Sequence, residues 1–285
     1  MIDSRLNEIF RAQLTEEEFD KLSRFIYKES GIKMPPVKKV MLQSRLQKRL
    51  RELNMTNFKD YINFVFNKDG LNGEIIHMLD VVSTNKTDFF REPIHFDFLS
   101  NTVLPEFYNT RSGSRTIKVW SAGCSSGEEP YTLAIVLSNF AESNPGFDYS
   151  IIGTDISTQI LQKAVNAVYK EERVANIPID TKRKYFLRSK DRVEPTVKVV
   201  SDLRKRVRFG RLNFMEPSYN ISDTFDVLFC RNVLIYFDRE TQEKVIQKLC
   251  EKLKPNGYFF LGHSESIMNM DVPLKQVKPT IFQRL

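Results

Sequence analysis

An α/β protein preceded by an all-helical segment is what this sequence predicts, on three observations. From Thr116 onward, short runs rich in Val, Ile and Phe alternate with helical stretches, the pattern of a mostly parallel sheet covered on both faces. Before that point the apolar residues recur at helical spacing. No apolar run approaches the roughly 18 to 20 residues that a membrane span requires.

The helical segment covers residues 15–66 and resumes over 73–105 with a break at TNKTDFFREP. In TEEEFDKLSRFIYKESG, Thr15 is the expected N-cap, Glu18 closes a capping box and Gly31 is the stop. PPVKKVMLQSRLQKRLREL starts a second helix behind two prolines. On a 100° wheel Leu42, Leu46, Leu50 and Leu53 share its apolar face, with Lys38, Arg45 and Arg49 as a basic ridge beside them. That ridge reads either as the solvated flank of a core helix or as a docking surface for an acidic partner.

The expected strands are IKVWSAG, YSIIGTD, RVRFGRLNF, FDVLFCRN and GYFFLGHS, with EPYTLAIVLSNFAES and RETQEKVIQKLCEKL among the helices between them. Residues 168–211 interrupt the alternation and are too long for a simple connection, so a small inserted β subdomain is expected there. Length also favours two domains: 285 residues exceed the usual size of one.

The net charge of +7 invites a nucleic-acid reading, but its distribution matters more than its sum. Residues 1–80 carry 14 Lys/Arg against 12 Asp/Glu, whereas 168–211 carry 14 against 6. A concentrated basic face of that kind suits RNA or an acidic protein surface equally. Only Cys124, Cys230 and Cys250 are present, without a CxxC pair, and the three His are far apart in sequence, so no disulfide framework or metal site is expected. The charged N-terminus, MIDSRLNEIFRAQL, lacks the apolar core of a secretory signal. A soluble cytoplasmic protein is expected, with a monomer as the default.

The chemistry points to VWSAGCSSGEEPY, where the first strand turns into its helix, the place where open parallel sheets bind ligands. Gly123 and Gly127 allow a tight turn and close backbone approach. Neither GxGxxG nor GxxxxGK is present. Glu128 and Glu129 stand where a phosphate-binding helix would offer bare N–H groups, which favours a cationic ligand. Strand two ends in Asp155, placed to accept hydrogen bonds from two ribose hydroxyls. Ribose plus a cationic group without pyrophosphate describes S-adenosylmethionine; a helix-capping Asp before Ile156-Ser157 is the competing reading. Cys124 has no His beside it in sequence and reads as a small packing residue. His263 reads as a loop-ordering residue, and Glu128 has no evident role.

Taken in order, TNKTDFFRE, VWSAGCSSGEEPYTLAI, IIGTDIS, RLNF, FDVLFCRNVLIYFDRETQ and LKPNGYFFLGHSES closely resemble the chemotaxis receptor methyltransferases, the CheR family, over essentially the whole chain. The resemblance implies an all-helical N-terminal domain over 1–85. A Rossmann-like class I S-adenosylmethionine-dependent methyltransferase domain then spans 86–285, with a small antiparallel β insert at 168–211. It implies methyl transfer from S-adenosylmethionine to glutamate side chains on the cytoplasmic helices of methyl-accepting chemotaxis receptors, leaving glutamyl methyl esters and S-adenosylhomocysteine.

Carried over residue by residue, the resemblance makes Thr87 and Arg91 part of a cofactor-lid segment, with Asn85 as a cofactor-side neighbour, and Glu129 the acid facing the methionine ammonium. Asp155 becomes the ribose ligand, and Asn213 and Phe214 the adenine-side loop. Arg231 and Asn232 border the methyl-transfer site, with Tyr236 one helical turn beyond. Arg91 and Tyr236 are the candidates for holding the substrate glutamate, and Lys38, Arg45 and Arg49 for docking the receptor. In some family members the insert grips a receptor peptide through a glycine-containing loop, whereas YFLRSKDRVEPTVKVV contains no glycine. Two rivals remain: an RNA or DNA methyltransferase, against which CRNVLIY lacks the Asn/Asp-Pro-Pro-Tyr type of segment, and a non-catalytic S-adenosylmethionine-binding receptor adaptor.

Overall fold

The computed structural model describes residues 2–110 and 115–285. Five helices form the N-terminal part: α1 (Ile2–Arg11), α2 (Glu16–Ser30), α3 (Lys39–Glu52), α4 (Phe58–Val65) and α5 (Lys68–Val82). Local chemistry fixes the ends of α2 as expected. The Thr15 hydroxyl accepts from Glu18 N–H at 3.1 Å, and the Glu18 carboxylate accepts from Thr15 N–H at 2.9 Å. Gly31 closes the helix at φ 72°. Phe19, Leu22, Ile26, Leu42, Leu46, Leu50, Tyr61 and Val65 bury the common core of these helices.

The second part contains α6 (Ile94–Phe98) and α7 (Leu104–Thr110), then β1 (Thr116–Ala122), α8 (Glu128–Ser143), β2 (Asp148–Asp155) and α9 (Thr158–Asn166). It continues with β3 (Val168–Lys170), α10 (Ile179–Tyr185), β4 (Phe186–Arg188), β5 (Thr196–Val199), α11 (Ser201–Arg204) and β6 (Val207–Arg211). Last come β7 (Phe225–Cys230), α12 (Arg239–Lys252), β8 (Leu253–Leu261), β9 (Leu274–Lys278) and β10 (Ile281–Arg284). Seven strands make one sheet in the order β6-β2-β1-β7-β8-β10-β9, parallel except for β10. Strand order reverses at β1 and β7, so the crevice for a ligand opens beyond the carboxyl ends of those strands.

Two expectations are corrected here. The insert is a three-stranded antiparallel sheet, β3-β5-β4, but it ends before residue 211: Val207–Arg211 pairs in parallel with β2, from Ile151↔Val207 to Asp155↔Arg211. The terminal hairpin β9–β10 has no counterpart among the expected strands, because β9 is almost wholly exposed and carries no apolar alternation.

Candidate active site

The turn after β1 is built from left-handed backbone. Gly123 and Gly127 sit at φ 83° and 95°, and Ser125 adopts φ 49° between them. A Cβ on Gly123 would collide with Val233, and one on Gly127 would lie 2.9 Å from Ala164 Cβ. The N–H groups of Gly123 and Cys124 both donate to the Thr154 carbonyl, at 2.7 and 2.8 Å, which stitches the turn to the end of β2.

Asp155 completes that stitch. Its carboxylate accepts from Ser125 N–H at 2.8 Å and from Ser157 N–H at 3.0 Å. Burial pushes its pKa above the ordinary carboxylate value, against the pull of these backbone donors. The N-cap of α9 is Ser157, whose hydroxyl accepts from Ile160 N–H. Asp155 is therefore not the cap, and an ionised carboxylate with about four lone-pair sites retains acceptor capacity toward the cavity.

Glu129 lies in the first turn of α8, where the helix dipole favours its charge. It accepts from the Ser121 hydroxyl at 2.6 Å and from Arg231 Nε at 2.7 Å. Arg231 is buried and bound further: Nη1 donates to the Arg91 carbonyl at 2.8 Å and to His95 Nδ1 at 2.9 Å. A guanidinium can only donate, so Nδ1 is the acceptor and the His95 proton sits on Nε2, which donates to Thr280 Oγ1 at 2.8 Å. Burial first, and then the Arg231 charge, hold the His95 pKa down at about 4. Glu92, His95 and His263 come together here, unlike their spacing in sequence. Both His95 nitrogens are already engaged and a guanidinium stands beside them, so the trio is unsuited to a metal cation.

One cavity gathers all nine residues expected to bind cofactor, from Asn85, Thr87 and Arg91 through Glu129 and Asp155 to Asn213, Phe214, Arg231 and Asn232. Tyr236 and Lys38 line it too, and so do Ser30, Ile32, Met34 and Met41 of the helical part. The cavity thus lies between the two parts of the chain. Their junction is hydrogen-bonded: Lys33 N–H donates to the Tyr236 carbonyl at 2.9 Å, and Asn213 Nδ2 donates to the Glu29 carbonyl at 2.6 Å.

The docking ridge does not survive intact. Arg49 is buried, donating from Nε and Nη2 to both Glu74 oxygens at 2.7 and 2.6 Å, so it presents no surface. Arg45 is half-buried and donates to the carbonyls of Val82 and Ser83, capping the end of α5. Lys38 alone of the three reaches the cavity.

Two acids carry more than their sequence positions suggested. Glu128, left without a role above, is 1% exposed; it accepts from Arg173 Nη2 at 2.7 Å and from the Ser126 hydroxyl at 2.6 Å. Glu265, in GHSES, was not singled out at all. It accepts from the N–H groups of Asn232, Val233, Leu234 and Gly262 at 2.7 to 2.9 Å, fixing the loop after β7 with Asn232 at φ 59°. A lone acid after a strand gives no sequence signal for such a role. Cys124 and Cys230 are fully buried, and burial raises both thiols well above their ordinary value. His263 is exposed, and its N–H donates to Glu92 at 3.3 Å.

This donor set fits S-adenosylmethionine. A carboxylate with spare acceptor capacity ends β2, and a second acid faces the cavity from α8, in place of a lysine loop or bare helix N-terminus for a phosphate. Residues 85–282 match the family model described as CheR methyltransferase, SAM binding domain, and residues 17–83 match CheR methyltransferase, all-alpha domain. The chain is 39% identical over 274 residues to the chemotaxis protein methyltransferase of Borreliella burgdorferi, covering 95% of each protein. It is 35% identical to that of Escherichia coli, over 92% of this chain and 88% of the relative. Chemotaxis protein methyltransferase 2 of Pseudomonas aeruginosa is 34% identical, over 94% and 93% respectively. The cavity-lining residues named above fall within these two matched regions, an all-helical domain and an S-adenosylmethionine-binding domain, and the chain belongs to the CheR methyltransferase family.

Proposed function

We propose that this protein transfers the methyl group of S-adenosylmethionine to glutamate side chains on the cytoplasmic helices of chemoreceptors, forming glutamyl methyl esters. The observation that carries the reading is the placement of Arg91 and Tyr236 on the same cavity as Glu129 and Asp155. Arg91 donates to the Lys86 carbonyl at 3.0 Å, and among the described residues no carboxylate pairs with it. Its charge is available to an incoming acid.

When bound, S-adenosylmethionine supplies an electrophilic methyl group on a sulfonium. The protein's own residues then have three tasks. Asp155 and Glu129 anchor the two ends of the cofactor, Arg91 and Tyr236 orient the glutamate, and the helical domain's Ile32, Met34 and Met41 close one wall against water. A glutamate side chain is ionised at neutral pH, so no general base is required. Opposite charges vanish as anion meets sulfonium, and strong solvation would favour the reactants; orientation and exclusion of water supply the rate. A guanidinium clamped on the attacking oxygen would blunt it, so Arg91 orients through the other oxygen or the cofactor. Cys124 plays no covalent part, because its thiol is buried with a raised pKa.

The nucleic-acid rival loses support from the insert region. Arg173, Lys184, Arg188, Arg206 and Arg208, five of its 14 basic residues, are paired with acidic side chains, which lowers the positive charge it offers to a polyanion. Radiolabelled methyl transfer tests the reading. Base-labile label on receptor glutamates supports it; label on RNA, or cofactor binding without transfer, overturns it. Unchanged turnover and cofactor affinity in Arg91→Ala would remove Arg91 from the mechanism.

A further inference from the structure

The lid segment, residues 84–92, meets the insert at its middle, Thr87 to Phe89, while Ser125, Thr132 and Arg231 hold Asn85, Phe90 and Arg91 on either side. Phe89 is buried with its ring edge-on to Tyr169 of β3 at 5.0 Å and to Phe186 of β4 at 5.4 Å. Tyr169 also donates to the Ser126 carbonyl at 2.8 Å, inside the turn after β1. The polar counterpart is Arg173, which follows β3. Its guanidinium donates to the Thr87 carbonyl, to Asp88 Oδ1 at 2.9 Å and to Glu128 Oε1 at 2.7 Å. One side chain of the insert therefore joins the lid to the first turn of α8, one residue before Glu129.

We propose that Arg173 is a positioning residue for the cofactor: it locks the lid, and with it Thr87 and Arg91, onto the helix that carries Glu129. Several details favour this over a purely structural role. Thr87 and Arg91 line the cavity, whereas Arg173 does not. Arg173 keeps about a third of its side chain accessible, while the side chain of its partner Glu128 is buried, so the guanidinium lies at the surface end of the pair. The lid's connection to α8 also runs through Thr132, whose hydroxyl accepts from Phe90 N–H at 3.1 Å and donates to the Glu128 carbonyl at 2.7 Å. A free lid would have to be ordered at each binding event, and that entropic cost falls on affinity for the cofactor.

The inference rests on assignment of the cavity to S-adenosylmethionine. Calorimetric titration of the full-length protein with S-adenosylhomocysteine tests it without any methyl acceptor, so the choice of receptor glutamates does not enter. Arg173→Met should weaken binding by about tenfold, equivalent to about 1.4 kcal/mol. In turnover it should raise KM for S-adenosylmethionine by a similar factor, with a smaller fall in kcat. Arg173→Lys, which retains the charge, should recover part of the loss. Asp88→Asn, at a half-exposed position that puts little folding energy at risk, should weaken binding by about two- to threefold. Binding by Arg173→Met and Asp88→Asn within error of the parent protein would overturn the clamp. No binding by the parent protein itself would overturn the cavity assignment instead.

Discussion

Arg231 Nε lies 2.7 Å from Glu129 Oε2, and this buried pair joins the residue that follows β7 to α8 at the carboxyl edge of the sheet. Glu128, one residue earlier, has its own arginine in Arg173 at 2.7 Å. Two adjacent acids are thus turned in different directions and neutralised separately. Only Glu129 of the two lines the cavity.

Arg231→Met should therefore be the more damaging change at this pair. It leaves a buried carboxylate without its counter-ion, and breaking such a pair costs about 3 to 5 kcal/mol. Glu129→Gln keeps a hydrogen-bond acceptor for Arg231 and should cost about 1 to 2 kcal/mol in stability. Both should weaken S-adenosylhomocysteine binding. Urea denaturation and calorimetric titration of the two variants distinguish the effects.

Arg49 belongs to the folding of the helical domain. Tyr61 donates to Glu74 Oε1 at 3.0 Å beside the Arg49 contacts, so Arg49→Met would leave Glu74 buried with one neutral donor. The expected loss is about 3 kcal/mol. Lys38→Glu should have the opposite profile, with little change in melting temperature and a raised KM for the receptor substrate. Thermal denaturation alongside methylation kinetics checks both.

His95 gives the protein a defined acid sensitivity. Its folded pKa of about 4 lies below its ordinary 6.5, so between those values the unfolded chain binds a proton that the native protein does not. Stability supported by neutral His95 is complete above about pH 6.5 and is lost as pH falls toward 4. The full span corresponds to up to about 3 kcal/mol. His95→Asn, which keeps an acceptor for Arg231, should flatten the decline. Urea unfolding of both proteins at pH 7 and pH 4.5 measures the difference.

Glu265 is buried against four backbone donors. Glu265→Gln places an NH2 group against N–H groups that need an acceptor, and the expected loss is about 1 to 3 kcal/mol. Turnover should fall further than stability alone implies, because the same loop carries Asn232 and Tyr236. Methylation assays at a temperature where the variant remains folded test this.

Much of the fold was legible because its signals are local. The Thr15 capping box, the Gly31 stop and the apolar runs of β1, β2, β7 and β8 each depend on residues a few positions apart. Glu129 and Asp155 were legible for a related reason: each occupies a fixed place at the end of a strand or start of a helix. What stayed hidden depends on partners far along the chain. Arg49 looks like a solvated flank until Glu74 is brought to it, 25 residues away. Arg173 looks like part of a basic insert until the fold places Glu128 against it, 45 residues away. The hairpin β9–β10 escaped notice because its outer strand buries almost nothing.

The segment from Val82 to Arg91 connects the helical domain to the methyltransferase domain and also forms part of the cavity wall. Ordinary connectors absorb insertions and deletions; this one has no slack to give. Adding a residue between Ser83 and Asp88 would move Thr87 relative to Asp155, or Arg45 relative to the carbonyls it caps. The spacing between the two domains is consequently a ruler for the cavity, and changes of length there should be tolerated far less than changes of residue type.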